Sequence, residues 1–226
     1  MCEANKGCNM SFKIAIDGPS AAGKSTVSKL LSKELGYVYI DTGALYRAVA
    51  LFLIRHNINP EDEQAIKFVI NDIDVDLKYE NDEQIVLLNG ENVNRYLRTN
   101  EISQAASKSS VFKSVRDRLL SLQRKIADKN SCVMDGRDIA SKVLPDANLK
   151  IFLTASVDSR AKRRYDENIS KGIICDLVEM KKEIVERDYR DTHRENDPLM
   201  QVEDAKYIDS TDMTIEEVLD KILSFT

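Results

Sequence analysis

The stretch GPSAAGKST, residues 18–26, fills every fixed position of the pattern G-x-x-x-x-G-K-[ST] with Gly18, Gly23, Lys24 and Ser25. A loop of this kind wraps successive backbone N–H groups around a polyphosphate and aims a helix N-terminus at the same negative charge. Lys24 then reaches the β- and γ-phosphates, and the Ser25 hydroxyl becomes a ligand for Mg²⁺. The bland alternative is a glycine turn that merely precedes a helix. The flanks argue against it: KIAID (13–17) reads as a short buried strand that ends in the turn. After Gly23 the period changes, with Val27, Leu30, Leu31 and Leu35 on one helical face and Gly36 where a glycine ends a helix.

Further short apolar runs follow at YVYI (37–40), CVMD (132–135), LKIFLTA (149–155) and AKYID (205–209). Between them lie helical patterns, such as Val111, Val115, Leu119, Leu122 and Ile126, or Leu177, Met180, Ile184 and Val185. The last helix opens with Thr214 and Glu217 in capping-box spacing and continues with Ile215, Val218, Leu219, Ile222 and Leu223. Strands alternating with helices predict an α/β fold: a five-stranded, mostly parallel sheet flanked by helices. One segment breaks the rhythm. IDVDLKYENDEQIVLLNGENV (73–93) alternates strictly at first and carries turn signals at ENDE and Asn89-Gly90, which predicts a small antiparallel β insertion.

A chain of 226 residues, 42% hydrophobic and 31% charged, is an ordinary globular protein long enough for one substantial core. Its net charge of −5 argues against a general nucleic-acid binder. Cys2, Cys8, Cys132 and Cys175 form no C-x-x-C pair or metal-ligand spacing, so reduced thiols in a cytoplasmic setting are expected and zinc is not. Residues 1–10 lack the apolar stretch of a signal peptide, and AVALFLI (48–54) is far too short to span a bilayer. No membrane association is expected.

Three groups of arginine and aspartate bear on the acceptor: DTGALYR (41–47), DGRD (135–138) and ERDYRDTHRENDPL (186–199). Each lies at or near the carboxyl edge of the expected sheet, where open α/β folds bind ligands. Converging guanidinium forks suit a second, anionic substrate. Arg187 and Asp191, at i and i+4, could instead pair on a solvated helix. Likewise SRAKRRYDENISKG (159–172) is either a basic solvated face or a lid whose arginines close over the phosphates. Asp135, ending its strand, is a candidate second metal acid or a simple turn cap. His56 and His193 are expected to be incidental.

In unbroken order from residue 12 to 218, the motifs IAIDGPSAAGKST, YIDTGALYR, LRTNEI, VMDGRDI, LPDANLKIFLTASVDSRAKRRYDE, RDYRDTHR and DAKYIDSTDMTIEEV resemble the bacterial cytidylate kinases, the CMP and dCMP kinases among the nucleoside monophosphate kinases. The resemblance implies a single P-loop kinase domain over 1–226. Its core would comprise 12–43, 129–155 and 200–226, with a monophosphate-binding region at about 44–128 and a helical lid at about 156–175. It implies direct in-line transfer from ATP, with Mg²⁺ and without an enzyme nucleophile; the default expectation is a monomer whose partners are small molecules.

By position, residues Gly18, Pro19, Ser20, Ala21, Ala22, Gly23, Lys24, Ser25 and Thr26 would bind ATP, joined by the lid arginines Arg160 and Arg164. Asp41, Thr42, Tyr46 and Arg47 match the family's first monophosphate-binding segment. Ser107, Arg116 and Asp138 match residues that read cytosine, while Arg137 and Arg47 match phosphate contacts. Arg187, Asp191 and Arg194 match residues around the ribose and the transferred group. Lys24, Arg137, Arg187 and Arg194 would then be catalytic, and Ser25 and Asp135 would hold the metal.

Chemistry supports the base assignment independently. A carboxylate at Asp138 accepts the exocyclic N–H of cytosine, whereas uracil would present a carbonyl to it and leave buried polar groups unpaired. Two positions depart from the family pattern. Ala140 follows DGRDI where glycine is common, which matters if that position needs positive φ. Ala21 replaces a common loop glycine at a variable position, where little effect is expected. The rival readings are another P-loop kinase, for UMP, AMP, dTMP or a metabolite such as shikimate, and a nucleotide-binding regulator without catalysis. Intact Lys24, Ser25 and Asp135 argue against the second.

Overall fold

The computed structural model describes residues 11–81 and 83–226, so the amino-terminal tail lies outside the described residues. Five strands, β1 (Lys13–Asp17), β2 (Val38–Asp41), β6 (Cys132–Gly136), β7 (Leu149–Thr154) and β8 (Lys206–Asp209), form one sheet in the order β2-β6-β1-β7-β8. Every pairing in it is parallel. In register, Asp17 stands opposite Gly136, Asp41 opposite Asp135, and Thr154 opposite Asp209, so the carboxyl ends of all five strands share one edge.

Both faces of the sheet are covered. On one, α1 (Lys24–Leu35) and α8 (Ile215–Leu223) bury Val27, Leu31, Val218 and Ile222 against Ile14, Ile16 and Ile151. Full burial of each such side chain stabilises the fold by about 1.5–3 kcal/mol. Gly36 ends α1 in the left-handed conformation, and the Thr214–Glu217 capping box forms in both directions. On the other face Ala15, Ile40 and Met134 pack against Ile139 and Val143.

A separate core lies beyond β2. There α2 (Thr42–Arg55), α3 (Glu63–Val69), α4 (Asn100–Ser109) and α5 (Lys113–Ala127) surround Leu45, Val49, Leu53, Ile66, Ile102 and Leu119. The insertion packs on this group as β3 (Val75–Glu80), β4 (Glu83–Leu88) and β5 (Glu91–Asn92), all antiparallel. Its second turn has positive φ at both Asn89 and Gly90, the conformation for which Asn-Gly is selected. Gln84 reaches back to the main sheet: its Oε1 accepts from Asp41 N–H at 2.8 Å and its Nε2 donates to the Asp41 carbonyl at 3.3 Å. The Tyr79 hydroxyl donates to the Tyr39 carbonyl at 3.1 Å.

The last two long helices, α6 (Val157–Ser170) and α7 (Leu177–His193), pack on each other as a hairpin. The apolar face expected for α7 is narrower than its sequence suggested: Met180 and Ile184 are buried, but Val185 and Leu177 are exposed. A hairpin helix covered from one side buries a narrow stripe, and Val185 lies one residue off it. Val111 precedes α5, whose first turn begins at Lys113. Among the described residues, no helix is long and apolar enough to cross a membrane.

Candidate active site

The loop between β1 and α1 is shaped by two glycines. Gly18 (φ 150°) passes so close to β7 that a Cβ there would overlap the Leu153 carbonyl oxygen. Gly23 (φ 90°) occupies the N-cap of α1 without a side-chain cap, which leaves the first N–H groups of the helix for a ligand. Ala21 adopts φ 60°. This corrects the expectation for it: an alanine held in the left-handed region costs about 1–2 kcal/mol. The buried Lys24 ammonium donates to the Pro19 carbonyl at 2.6 Å. Burial and the neighbouring Arg137 hold its pKa well below the ordinary lysine range.

Ser25 and Asp135, the two residues named for the metal, lie in contact. The Ser25 hydroxyl donates to Asp135 Oδ2 at 3.0 Å, Tyr39 donates to Oδ1 at 2.8 Å, and the Thr42 hydroxyl donates to the Asp135 carbonyl at 2.7 Å. Burial, and then the charge of Asp41, push the Asp135 carboxyl up to about 6. Among the described residues no cluster of three or more His, Cys, Asp or Glu side chains could hold a metal by itself. One hydroxyl and one carboxylate, both hard oxygen donors, fit Mg²⁺, which ordinarily completes its shell with water and substrate phosphates.

Facing this loop is a set of basic side chains whose donors are incompletely used. Asp41 caps α2 by accepting from Ala44 N–H at 2.9 Å and also accepts from Arg47 Nη2 at 2.9 Å, while Arg47 Nε has no partner. Arg137 Nε donates to Asp191 at 2.8 Å. The alternative of a simple Arg187–Asp191 pair is not favoured by the distance, 3.9 Å, and Arg187 Nε has no hydrogen-bond partner. Burial and the adjacent Arg137 depress the Arg187 pKa to about 9. Burial alone would raise Asp191, but Arg137 and Arg187 outweigh it and hold that carboxyl below its usual range. Lys24, Arg47, Arg137 and Arg187 line one cleft of about 670 Å³ together with Ser25 and Asp135. Buried donors without acceptors are costly, and an anion among them would satisfy all.

Arg116, also in the cleft lining, donates through Nη2 to Asp138, through Nε to Asp197 at 2.9 Å, and through Nη1 to the Ser110 carbonyl at 3.3 Å. Its guanidinium lies 5.7 Å from the centre of the Tyr46 ring. Ser107 is buried there and accepts from Arg190 Nε at 3.4 Å.

Two arginines differ from expectation. Arg160 is absent from the cleft lining: it is buried, donates to the Ala155 and Ser20 carbonyls, and pairs with Asp188 at 2.7 Å. It therefore braces the loop from behind, while Arg164, the other arginine named for the lid, and its neighbour Arg163 line the cleft. Arg194 lines the cleft but binds the Asp197 carbonyl at 2.6 and 2.9 Å and Asp138 at 3.4 Å, which groups it with Arg116. Gly18 and Pro19 also lie behind the lining, which begins at Ser20. His56 and His193 stack on Phe52 and Tyr189 of their own helix and bond to carbonyls one turn back.

Sequence reasoning missed Asp17, Arg98 and Asp197. Arg98 lines the cleft and stands within LRTNEI, a motif the sequence displayed without a role for its arginine. Asp17, at the end of β1, accepts from the Ile139 and Ala140 N–H groups at 2.9 and 2.7 Å, and its place directly before Gly18 was the available signal. The same bonds answer the question raised by Ala140, which sits in a single π-type turn (Ile139–Val143) and is not among the positive-φ residues.

Burial outweighs the two N–H bonds and pushes Asp17 up to about 6 from 3.8. The folded state therefore binds the proton more tightly than the unfolded chain, and stability from this group falls as pH rises from about 4 to 6. The full loss is about 3 kcal/mol. Asp17→Asn is expected to flatten that part of the stability profile, read by urea unfolding from pH 4.5 to 7; a slope identical to wild type would refute it.

The fold and cleft define a P-loop phosphotransferase in which a triphosphate cradle faces an arginine-rich acceptor pocket. The family profile "Cytidylate kinase" matches residues 14–226. The cytidylate kinase of Ligilactobacillus salivarius is 50% identical over 213 residues, covering 94% of this chain and 95% of that protein. The one of Lactobacillus johnsonii is 48% identical over 217 residues, covering 96% and 94%. This chain belongs to the cytidylate kinase family. A solved structure of an uncharacterized protein from Eubacterium ventriosum shares the fold at a TM-score of 0.53 and 14% identity, covering 95% of this chain and 98% of that one.

Proposed function

We infer that phosphate passes in-line from ATP to CMP or dCMP, the reaction of the family to which this chain belongs. The observation that carries the reading is the convergence of Lys24, Arg47, Arg137 and Arg187 in one cleft that Ser25, Asp135 and Asp138 also line. Lys24 leaves the Pro19 carbonyl for the β- and γ-phosphates. Ser25 and Asp135 would hold Mg²⁺, which would supply charge neutralisation at the phosphates when bound with ATP. Arg137 and Arg187 surround the transferred group. A loose transition state of this kind asks mainly for alignment and positive charge, so no side chain needs to act as nucleophile.

On the acceptor side Arg47, positioned by Asp41, and Arg98 hold the monophosphate. Asp191, kept ionised by its arginines, accepts from a ribose hydroxyl. Asp138 accepts the exocyclic amine of cytosine, with Arg116 and Ser107 supplying donors and Tyr46 a wall. The hairpin of α6 and α7 is the lid, bringing Arg163 and Arg164 over the donor phosphates; closing it over both substrates excludes water as a competing acceptor. The region from α2 to α5, with the β insertion, is the monophosphate-binding part. The free thiols of Cys132 and Cys175 support a cytoplasmic setting.

An assay of ADP release with CMP, dCMP, UMP and AMP at equal concentration tests the reading. Turnover is expected with CMP and dCMP and to be at least about a hundredfold weaker with UMP, whose carbonyl would face Asp138. Equal turnover of UMP would overturn the assignment of Asp138.

A further inference from the structure

We propose that Asp197 is a specificity-positioning residue, its carboxylate and carbonyl gripping Arg116 and Arg194 so that Asp138 keeps acceptor capacity for the base. The inference rests on the reading of Asp138 as the group that meets cytosine.

Asp138 sits between two buried guanidiniums, and both are also held by one other residue, Asp197. Arg194 lies 2.6 and 2.9 Å from the Asp197 carbonyl but 3.4 Å from Asp138 Oδ1. Arg116 is fixed at its Nε by the Asp197 carboxylate at 2.9 Å and at its Nη1 by the Ser110 carbonyl at 3.3 Å, which leaves Nη2 for Asp138. A carboxylate has about four lone-pair sites, so with one firm and one long bond it retains room for an amine. Without the grip, two positive groups would converge on the same two oxygens in a buried site, and the base would compete with both.

The grip is itself held in shape. Asp197 adopts φ 47°, a conformation that aspartate tolerates better than most residues. Asn196 Nδ2 donates to the Val111 carbonyl at 3.1 Å on one side, and Leu199 N–H donates to the Asp191 carbonyl at 2.7 Å on the other. Lys142 lies 3.6 Å from the remaining Asp197 oxygen.

The test is steady-state kinetics of Asp197→Ala and Asp197→Asn with CMP and UMP, beside Asp138→Asn. Asp197→Ala is expected to raise the KM for CMP about ten- to a hundredfold, the loss of one hydrogen bond to a charged group. The KM for ATP should stay within about twofold, and the preference for CMP over UMP should shrink. Asp197→Asn, which keeps an acceptor for Arg116 Nε, should restore much of that preference. The inference is overturned if Asp197→Ala keeps the wild-type preference, or if it weakens both substrates and kcat alike, the pattern of a merely structural residue. Unchanged selectivity in Asp138→Asn would instead overturn the reading of the base site, whatever Asp197→Ala does.

Discussion

Lys24→Met is expected to lower kcat by about a hundredfold or more, in the range seen when a preorganised transition-state donor is removed, while leaving the unliganded protein as stable as wild type or more so. The two effects have one cause. The ammonium is buried, and burial together with Arg137 and Arg187 disfavours its charge; Asp135, Asp191 and the Pro19 carbonyl at 2.6 Å offset this only in part. Methionine keeps the apolar stem and discards the charge, so the fold loses an electrostatic burden while the reaction loses the group that meets the β- and γ-phosphates. Thermal unfolding with and without ATP separates the outcomes: the variant should match or exceed the wild-type Tm alone and gain less from nucleotide. Near-normal turnover would refute the assignment, and a Tm lower by more than about 5 °C would show that the lysine is structural.

Arg187→Ala should behave similarly, for a sharper reason. Arginine does not lose its proton at neutral pH, so repulsion from Arg137 cannot be relieved by titration. Its Nε has no hydrogen-bond partner and the nearest carboxylate oxygen is 3.9 Å away. An arriving phosphoryl group supplies the missing acceptor, and its charge is greatest during transfer. A fall in kcat of about a hundredfold or more is therefore expected, with the unliganded Tm unchanged or raised. The distinguishing measurement is stabilisation by inorganic phosphate, which should be smaller in the variant than in wild type; equal stabilisation would mean that the anion is held elsewhere.

The sheet, the loop and the insertion were legible because each rests on local rules. Strand runs, a change of period at Gly23, the capping pair Thr214 and Glu217, and Asn89-Gly90 all specify backbone conformation within a few residues. Ser25 and Asp135 were legible for a related reason, since a parallel sheet brings strand ends to one edge. What the spacing does not reveal is where individual arginines lie. Arg160 and Arg164 stand one helical turn apart on α6, yet one is buried behind the loop and the other lines the cleft. Which carbonyl or carboxylate each meets depends on how β7 and α7 pass nearby, and no spacing encodes that. Asp17, Asp197 and the left-handed Ala21 were missed likewise, because their partners and backbone angles come from distant contacts.

The contact between Gln84 and β2 has a bearing on solubility. β2 is an outer strand, and its residues 39 and 41 turn their backbone polar groups away from β6, where another chain could pair with them. Gln84 and the Tyr79 hydroxyl occupy those positions with side-chain groups. The insertion thus does for the edge what an additional strand would do, closing it to a second molecule without extending the sheet.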